Sequence, residues 1–159
     1  MPTDSPTHRF RWPLDVRLFA VLSALWSLIF IARISLHQGA DLQAVMGGLK
    51  FYGAPAAAVM AMQAVIIWVF AVGIFSGRRW ALLLALAYMT EVVLSHLFFI
   101  VGNFGDPTQL AHIQRAALEG PAAVMITLYV WIRANDLLFV EAAATTSEAR
   151  VDSKLAARL

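Results

Sequence analysis

Four apolar stretches of about 20 residues each constrain this sequence most, because an α-helix of that length crosses the hydrocarbon core of a bilayer. They cover residues 14–36, 55–75, 80–101 and 120–140. Short polar or glycine-containing segments end each stretch, so the backbone polar groups inside the membrane can all be paired within helices. The sequence therefore predicts a bundle of four transmembrane helices.

The charge content agrees with this prediction. Only 14% of the 159 residues are charged and 60% are hydrophobic, whereas a soluble domain carries about 25% charged residues. Much of the protein surface must therefore face something other than water. We expect an all-α integral membrane protein with one domain over residues 1–141. The polar, alanine-rich tail at 142–159 is predicted either to extend the fourth helix or to be disordered.

The basic residues predict the orientation, because cytoplasmic loops carry more lysine and arginine than loops on the opposite side of a membrane. One side of the predicted bundle holds Arg9, Arg11, Arg78, Arg79, Arg150, Lys154 and Arg158. The other side holds only Lys50 and Arg115, with Arg33 near the end of the first helix. We expect both termini to be cytoplasmic and the protein to lie in a bacterial inner membrane.

The two loops on the outer side contain helical patterns. Residues 106–108 are Asp-Pro-Thr, which is typical of an N-cap followed by the first helical positions. Apolar residues then recur at helical spacing, so we predict a short amphipathic helix over 109–119 on the membrane surface, between helices 3 and 4. The first outer loop has a weaker helical pattern at 41–46, ended by Gly47 and Gly48. Such helices either rest on lipid headgroups or cover an outward-facing cavity.

Two opposite charges lie inside the predicted membrane segments. Glu91 is in the middle of the third stretch, and Arg133 is in the second half of the fourth. An ionised side chain at the bilayer centre costs about 2.5–3.5 kcal/mol, so such residues usually pair, face the bundle interior or have a function. Because consecutive helices are antiparallel neighbours, the long arginine side chain can reach the carboxylate. The sequence therefore predicts a Glu91–Arg133 ion pair.

Other polar side chains share helix faces with these two, because positions three and four apart lie on one face. We define the predicted polar seam as Tyr88, Glu91 and Ser95 of helix 3 together with Tyr129, Arg133 and Asp136 of helix 4. The seam has two interpretations. It either neutralises its own charges and fixes helix packing, or it forms a proton relay or an ion-binding path.

A second polar site is predicted at His96 and Gln63, which lie at comparable depth on helices 3 and 2 and would form a hydrogen bond if these helices pack. Histidine is also a common ligand of haem iron. No second histidine lies at the depth of His96, however. We therefore predict no cofactor within one chain, with a lipid, or a haem held between two subunits, as the alternative.

Several function classes are disfavoured by what the sequence lacks. It has no cysteine, no phosphate-binding glycine loop, no nucleophile elbow and no zinc-protease motif. Its basic residues form no continuous stripe, which disfavours nucleic acid as a partner. We predict neither catalytic residues nor a metal site.

Three function classes are compatible with these features. The first, which we prefer because catalytic motifs are absent, is a non-catalytic subunit, assembly factor or oligomeric scaffold of a larger membrane complex. The second is a small oligomeric transporter or channel that uses Glu91, Arg133 and His96 along a polar path. The third is a membrane enzyme or carrier that binds a lipid, quinone or haem.

Overall fold

The computed structural model describes residues 12–36 and 42–140, most of which are helical. The four long helices are α1 (Leu14–Leu36), α2 (Gly53–Phe75), α3 (Arg79–Gly102) and α4 (Leu110–Ala134). A 3₁₀ turn (Pro107–Gln109) precedes α4, and a π-helical segment (Asn135–Val140) follows it. The predicted tail at 142–159 and five of the basic residues that predict the orientation lie outside the described residues, namely Arg9, Arg11, Arg150, Lys154 and Arg158.

Within this part of the chain, α1, α2 and α3 are long and apolar enough to cross a membrane. This confirms the first three predicted stretches, with boundaries that differ by at most two residues. By the same criteria of length and composition, α4 is not a candidate span. Its 25 residues include Arg115, Glu119 and Arg133, so charged side chains occur along much of its length.

The beginning of α4 also differs from the prediction. The expected surface helix at 109–119 and the expected fourth stretch at 120–140 are parts of one helix, which continues through Gly120 and Pro121. A proline inside a helix removes one backbone hydrogen bond and costs about 3 kcal/mol. The extensive packing of α4 along α3 offsets this cost. The Gly-Pro pair is therefore not a helix start in this protein.

The loop between α1 and α2 is a β-hairpin, so the weak helix predicted at 41–46 is wrong over its described part. Strand β1 (Gln43–Met46) pairs antiparallel with β2 (Leu49–Tyr52). Gly47 and Gly48 form the two-residue turn, with φ angles of 57° and 77°. Both central positions of a type I′ turn need positive φ, which glycine adopts without strain. The Gly-Gly pair therefore favours a hairpin at this point.

The hairpin folds back along the helices. We define the hairpin end of the bundle as the end at which α1 and α3 finish and α2 begins. The hairpin tip contacts Glu91, which lies eleven residues before the last residue of α3, Gly102. At 1.5 Å per residue this is about 16 Å from the helix end. The hairpin therefore lies beside the halves of α2 and α3 near the hairpin end and is not a flat cap over the bundle.

Helices that are adjacent in sequence pack against each other. The main core lies at the opposite end from the hairpin and includes the fully buried ring of Phe70. Here α2 and α3 approach closely, because an added Cβ on Gly73 would lie 2.6 Å from the Cβ of Ala81. A second, smaller core joins the hairpin to α2 through the buried side chains of Leu42, Ala44, Ala56 and Met60.

Candidate functional site

Two hydrogen bonds attach the hairpin tip to α3. The backbone N–H of Gly47 donates to Oε1 of Glu91 at 3.3 Å, and that of Gly48 donates to Oγ of Ser95 at 3.4 Å. Glu91 and Ser95 are four residues apart, so both can face the hairpin. An added Cβ on Gly48 would lie 2.6 Å from the Cβ of Phe98. Close packing and turn conformation therefore both require glycine at position 48.

A half-open cavity of about 160 Å³ lies between α2, α3 and the first strand of the hairpin. We call it the cavity site. It is lined by Met46, Met62, Gln63, Ile66, Leu84, Tyr88 and Glu91. Its surface is almost entirely apolar, and the polar atoms of Gln63, Tyr88 and Glu91 contribute only a small part of it. Small-molecule pockets also combine mainly apolar walls with a few polar groups, but most of them are larger than this cavity.

Glu91 has no basic partner among the described residues. Among these residues, its carboxylate accepts one hydrogen bond, from the backbone N–H of Gly47. No described lysine, arginine or histidine lies within ion-pair distance of it. The structure does not form the predicted Glu91–Arg133 ion pair. The reason is that Glu91 faces α2 and the hairpin, whereas Arg133 faces α1.

Arg133 pairs with Asp15. Nη2 of Arg133 lies 2.5 Å from Oδ2 of Asp15, and the hydroxyl of Tyr129 donates to the same oxygen at 3.0 Å. These three residues, which we call the Asp15 cluster, join the last turn of α4 to the first turn of α1. The helix dipoles favour a cation and an anion at these two positions.

Asp15 is not among the partners that the sequence predicts for Arg133. A fourth stretch that ends at residue 140 places Arg133 about 12 Å inside the membrane at 1.5 Å per residue, closer to Glu91 than to the start of helix 1. In the structure Arg133 is in the last turn of α4. An acidic first turn in helix 1 and a basic last turn in helix 4 were the available signal for this pair.

Aromatic ring contacts connect the Asp15 cluster to the cavity site, with one ring from each helix. Phe19 stacks on Phe70 at a centroid distance of 5.9 Å and contacts Tyr129 at 6.1 Å. Phe70 in turn contacts Tyr88 at 6.2 Å. Phe19 and Phe70 thus connect Tyr129 of one half of the predicted polar seam to Tyr88 of the other.

The six residues of the seam accordingly have three different environments. Tyr88 and Glu91 line the cavity site, and Ser95 binds the hairpin tip next to it. Tyr129 and Arg133 belong to the Asp15 cluster. Asp136 is exposed, and no ion pair involves it within the described ranges.

His96 faces α4, away from Gln63. Its Nδ1 donates to the carbonyl oxygen of Val92 at 2.7 Å, so that Nε2 faces Oε2 of Glu119 at 3.7 Å. His96 is five residues after Glu91, which rotates it by about 140° around a helix of 3.6 residues per turn. Gln63 lines the cavity site on the Glu91 side. The predicted contact between His96 and Gln63 is therefore not formed.

Another group of polar contacts lies where the hairpin meets the start of α4. Nζ of Lys50 donates to Oε1 of Gln109 at 3.3 Å and lies 5.1 Å from the centroid of the Tyr52 ring. Asp106 accepts hydrogen bonds from the hydroxyl and the backbone N–H of Thr108, and both lower the pKa of its carboxyl. This confirms the N-cap that the sequence predicts at Asp106.

The described part of the chain contains no group of three or more histidine, cysteine, aspartate or glutamate side chains that could hold a metal ion. Comparisons with protein-family models, with curated proteins and with solved structures found no match. The cavity site is therefore the feature on which a functional proposal rests.

Proposed function

We propose that this protein binds an amphiphilic molecule in the cavity site and acts without catalysis, as a ligand-binding subunit or a carrier in a membrane. The lining of the cavity carries this proposal. Its surface is almost entirely apolar, which suits the apolar part of a ligand, and Gln63, Tyr88 and Glu91 are the lining residues that carry polar groups to orient it. Because the cavity is half open, the apolar part of such a ligand can extend out of it.

We further propose that all four helices cross the bilayer of a bacterial inner membrane and that both termini are cytoplasmic. The hydroxyl of Thr127 in α4 donates to the carbonyl oxygen of Met89 in α3 at 3.2 Å, which favours similar depths for the middle of α3 and the second half of α4. Asp15 neutralises the charge of Arg133. Arg78 precedes α3 and Arg79 is its first residue, at the end of the bundle that the positive-inside rule assigns to the cytoplasm.

The proposed function involves other protein subunits. We expect the protein to work in a homo-oligomer or as a subunit of a larger membrane complex, in which it would bring its ligand to another component. A lipid or a quinone fits the amphiphile, whereas haem is less favoured because His96 faces Glu119 instead of the cavity.

The transport alternative has less support. It requires Glu91 and Arg133 to lie on one polar path. Glu91 binds the hairpin and Arg133 binds Asp15 of α1, and the contacts that connect the two sites include the apolar, fully buried ring of Phe70. Apolar rings offer no polar partner to an ion, so these contacts do not form a polar path.

A cavity-filling substitution tests the proposal against a matched substitution outside the cavity. Leu84 lines the cavity, and its neighbour Leu83 is 45% exposed on the same helix. Each protein is purified in native lipid particles, and co-purifying small molecules are quantified by mass spectrometry. We expect one amphiphile at constant stoichiometry in the wild type and in Leu83→Trp, and its loss from Leu84→Trp. A wild type without such a molecule, or a folded Leu84→Trp variant that retains it, contradicts the proposal.

A further inference from the structure

The cavity site contains a carboxylate that no described cation neutralises. Oε1 of Glu91 accepts the N–H of Gly47, and Oε2 accepts no hydrogen bond from the described residues. Glu91 lies near the middle of α3, which is apolar enough to span a membrane. An ionised carboxylate in such surroundings is costly unless it is paired. A positively charged ligand would supply the missing partner.

The side chains around Glu91 suit an organic cation. Tyr88 is only 8% exposed and contributes an aromatic ring, and aromatic rings attract ammonium groups. Met46 and Met62 contribute flexible, polarisable thioethers that can adapt to the shape of a ligand. Small metal cations such as Mg²⁺ or Ca²⁺ need about six or more oxygen ligands, and these mainly apolar walls do not offer them.

The volume of the cavity limits the group that enters it. Its size of about 160 Å³ is close to that of an apolar cavity of about 150 Å³ that binds benzene. A compact head group such as a trimethylammonium therefore fits, but a long chain does not. The open side can hold the chain, since Met62 of the cavity wall and the nearby Val65 and Val69 of α2 are 40%, 61% and 43% exposed.

We propose that the ligand is a cationic amphiphile, an ammonium group on a hydrocarbon chain. The head group lies beside the carboxylate of Glu91 and the ring of Tyr88. The chain leaves the cavity past Met62, along the exposed apolar face of α2. This inference rests on the proposed function and names the chemical class of its ligand.

The test uses three soluble probes with an unbranched chain of six carbons, namely hexyltrimethylammonium, hexanol and hexanoate, in which the carboxylate carbon is the sixth. The full-length protein in phosphatidylcholine nanodiscs is titrated calorimetrically with each probe, and the heat from empty nanodiscs is subtracted. We expect the wild type to bind the cation most tightly and hexanoate most weakly. In Glu91→Gln, which keeps an acceptor for Gly47, we expect affinity for the cation to fall by about tenfold or more, because the charge pair is lost.

Two controls isolate the charge of Glu91. Hexanol should bind Glu91→Gln and the wild type equally, which shows that the variant retains a folded cavity. Glu119→Gln removes a carboxylate of α4 that is 51% exposed and outside the cavity lining, and its affinity for the cation should be unchanged. The order of the three probes in the wild type does not depend on any variant.

The outcomes separate the two proposals. Equal binding of the cation and hexanol by the wild type, or unchanged cation affinity in a Glu91→Gln variant that binds hexanol, overturns the cationic ligand and leaves amphiphile binding intact. Binding of none of the three probes overturns the proposed function as well.

Discussion

Arg133 in the last turn of α4 and Asp15 in the first turn of α1 link the last helix of the chain to the first, with 2.5 Å between Nη2 and Oδ2. The extensive helix contacts are those of α1 with α2, α2 with α3 and α3 with α4. The ion pair therefore closes the bundle at one end. The Asp15 and Arg133 side chains are 36% and 37% exposed, so solvent screens part of their attraction.

Breaking this pair should lower stability modestly. We expect Asp15→Asn and Arg133→Gln each to lower the melting temperature in lipid nanodiscs by no more than about 4 °C, because partly exposed ion pairs are weak. The double variant should be no less stable than the single variants, since either change already removes the interaction. Asp136→Asn, which alters an exposed carboxylate of the next segment, is the control and should have little effect. Additive losses in the double variant would show that the two residues act independently.

The two glycines of the hairpin turn should respond differently to alanine. Both have positive φ, which costs an alanine about 1–2 kcal/mol. At Gly47 an added Cβ has open space, whereas at Gly48 it would lie 2.6 Å from the Cβ of Phe98. We therefore expect Gly48→Ala to destabilise the protein more than Gly47→Ala and to increase hydrogen exchange across residues 43–52. Equal free energies of unfolding for the two variants would contradict the close contact of the turn with α3.

The stability of the first turn before α4 should depend on pH, because the carboxyl group of Asp106 titrates. Hydrogen bonds from Thr108 lower the pKa of this carboxyl below its ordinary value of 3.8. A depressed pKa in the folded state means that the stabilisation is present above pH 3.8 and is lost as the pH falls through the lower, folded-state value. Hydrogen exchange, corrected for its intrinsic pH dependence, should show the amide of Thr108 losing protection over that acidic range.

Asp106→Asn provides the control for this prediction. Asparagine is also a good N-cap but does not titrate. Protection of the Thr108 amide should therefore become independent of pH in this variant. An acid-dependent loss that persists in Asp106→Asn would assign the effect to another group.

The positions of three helices followed from the sequence because each depends on the length of one apolar stretch. The N-cap at Asp106 was likewise predictable, because its hydrogen bonds to Thr108 span two residues. The hairpin was not predicted, although the Gly47-Gly48 pair that favours it was visible. The helical spacing at 41–46 competes with this signal, and the turn chemistry of the glycine pair decides the local structure.

The candidate site was predicted only in part. The sequence identifies four of its polar side chains in apolar surroundings. Gln63, Tyr88 and Glu91 line one cavity, and Ser95 binds the hairpin tip next to it. Their partners were not predicted. Glu91 binds a backbone N–H of the hairpin. A pattern of side-chain charges cannot predict a partner that belongs to the backbone.

The sequence by itself determined that this chain has helices suited to a membrane and that charged and polar side chains occur inside them. These are local properties, set by the length of apolar stretches and the residues that end them. Only the tertiary structure decided that Arg133 meets Asp15, that Glu91 meets the hairpin and that His96 turns away from Gln63. Such contacts depend on the rotation of each helix and on the register between helices. Close packing sets the rotation and the register. One example is the close approach of α2 to Ala81 of α3, which Gly73 allows.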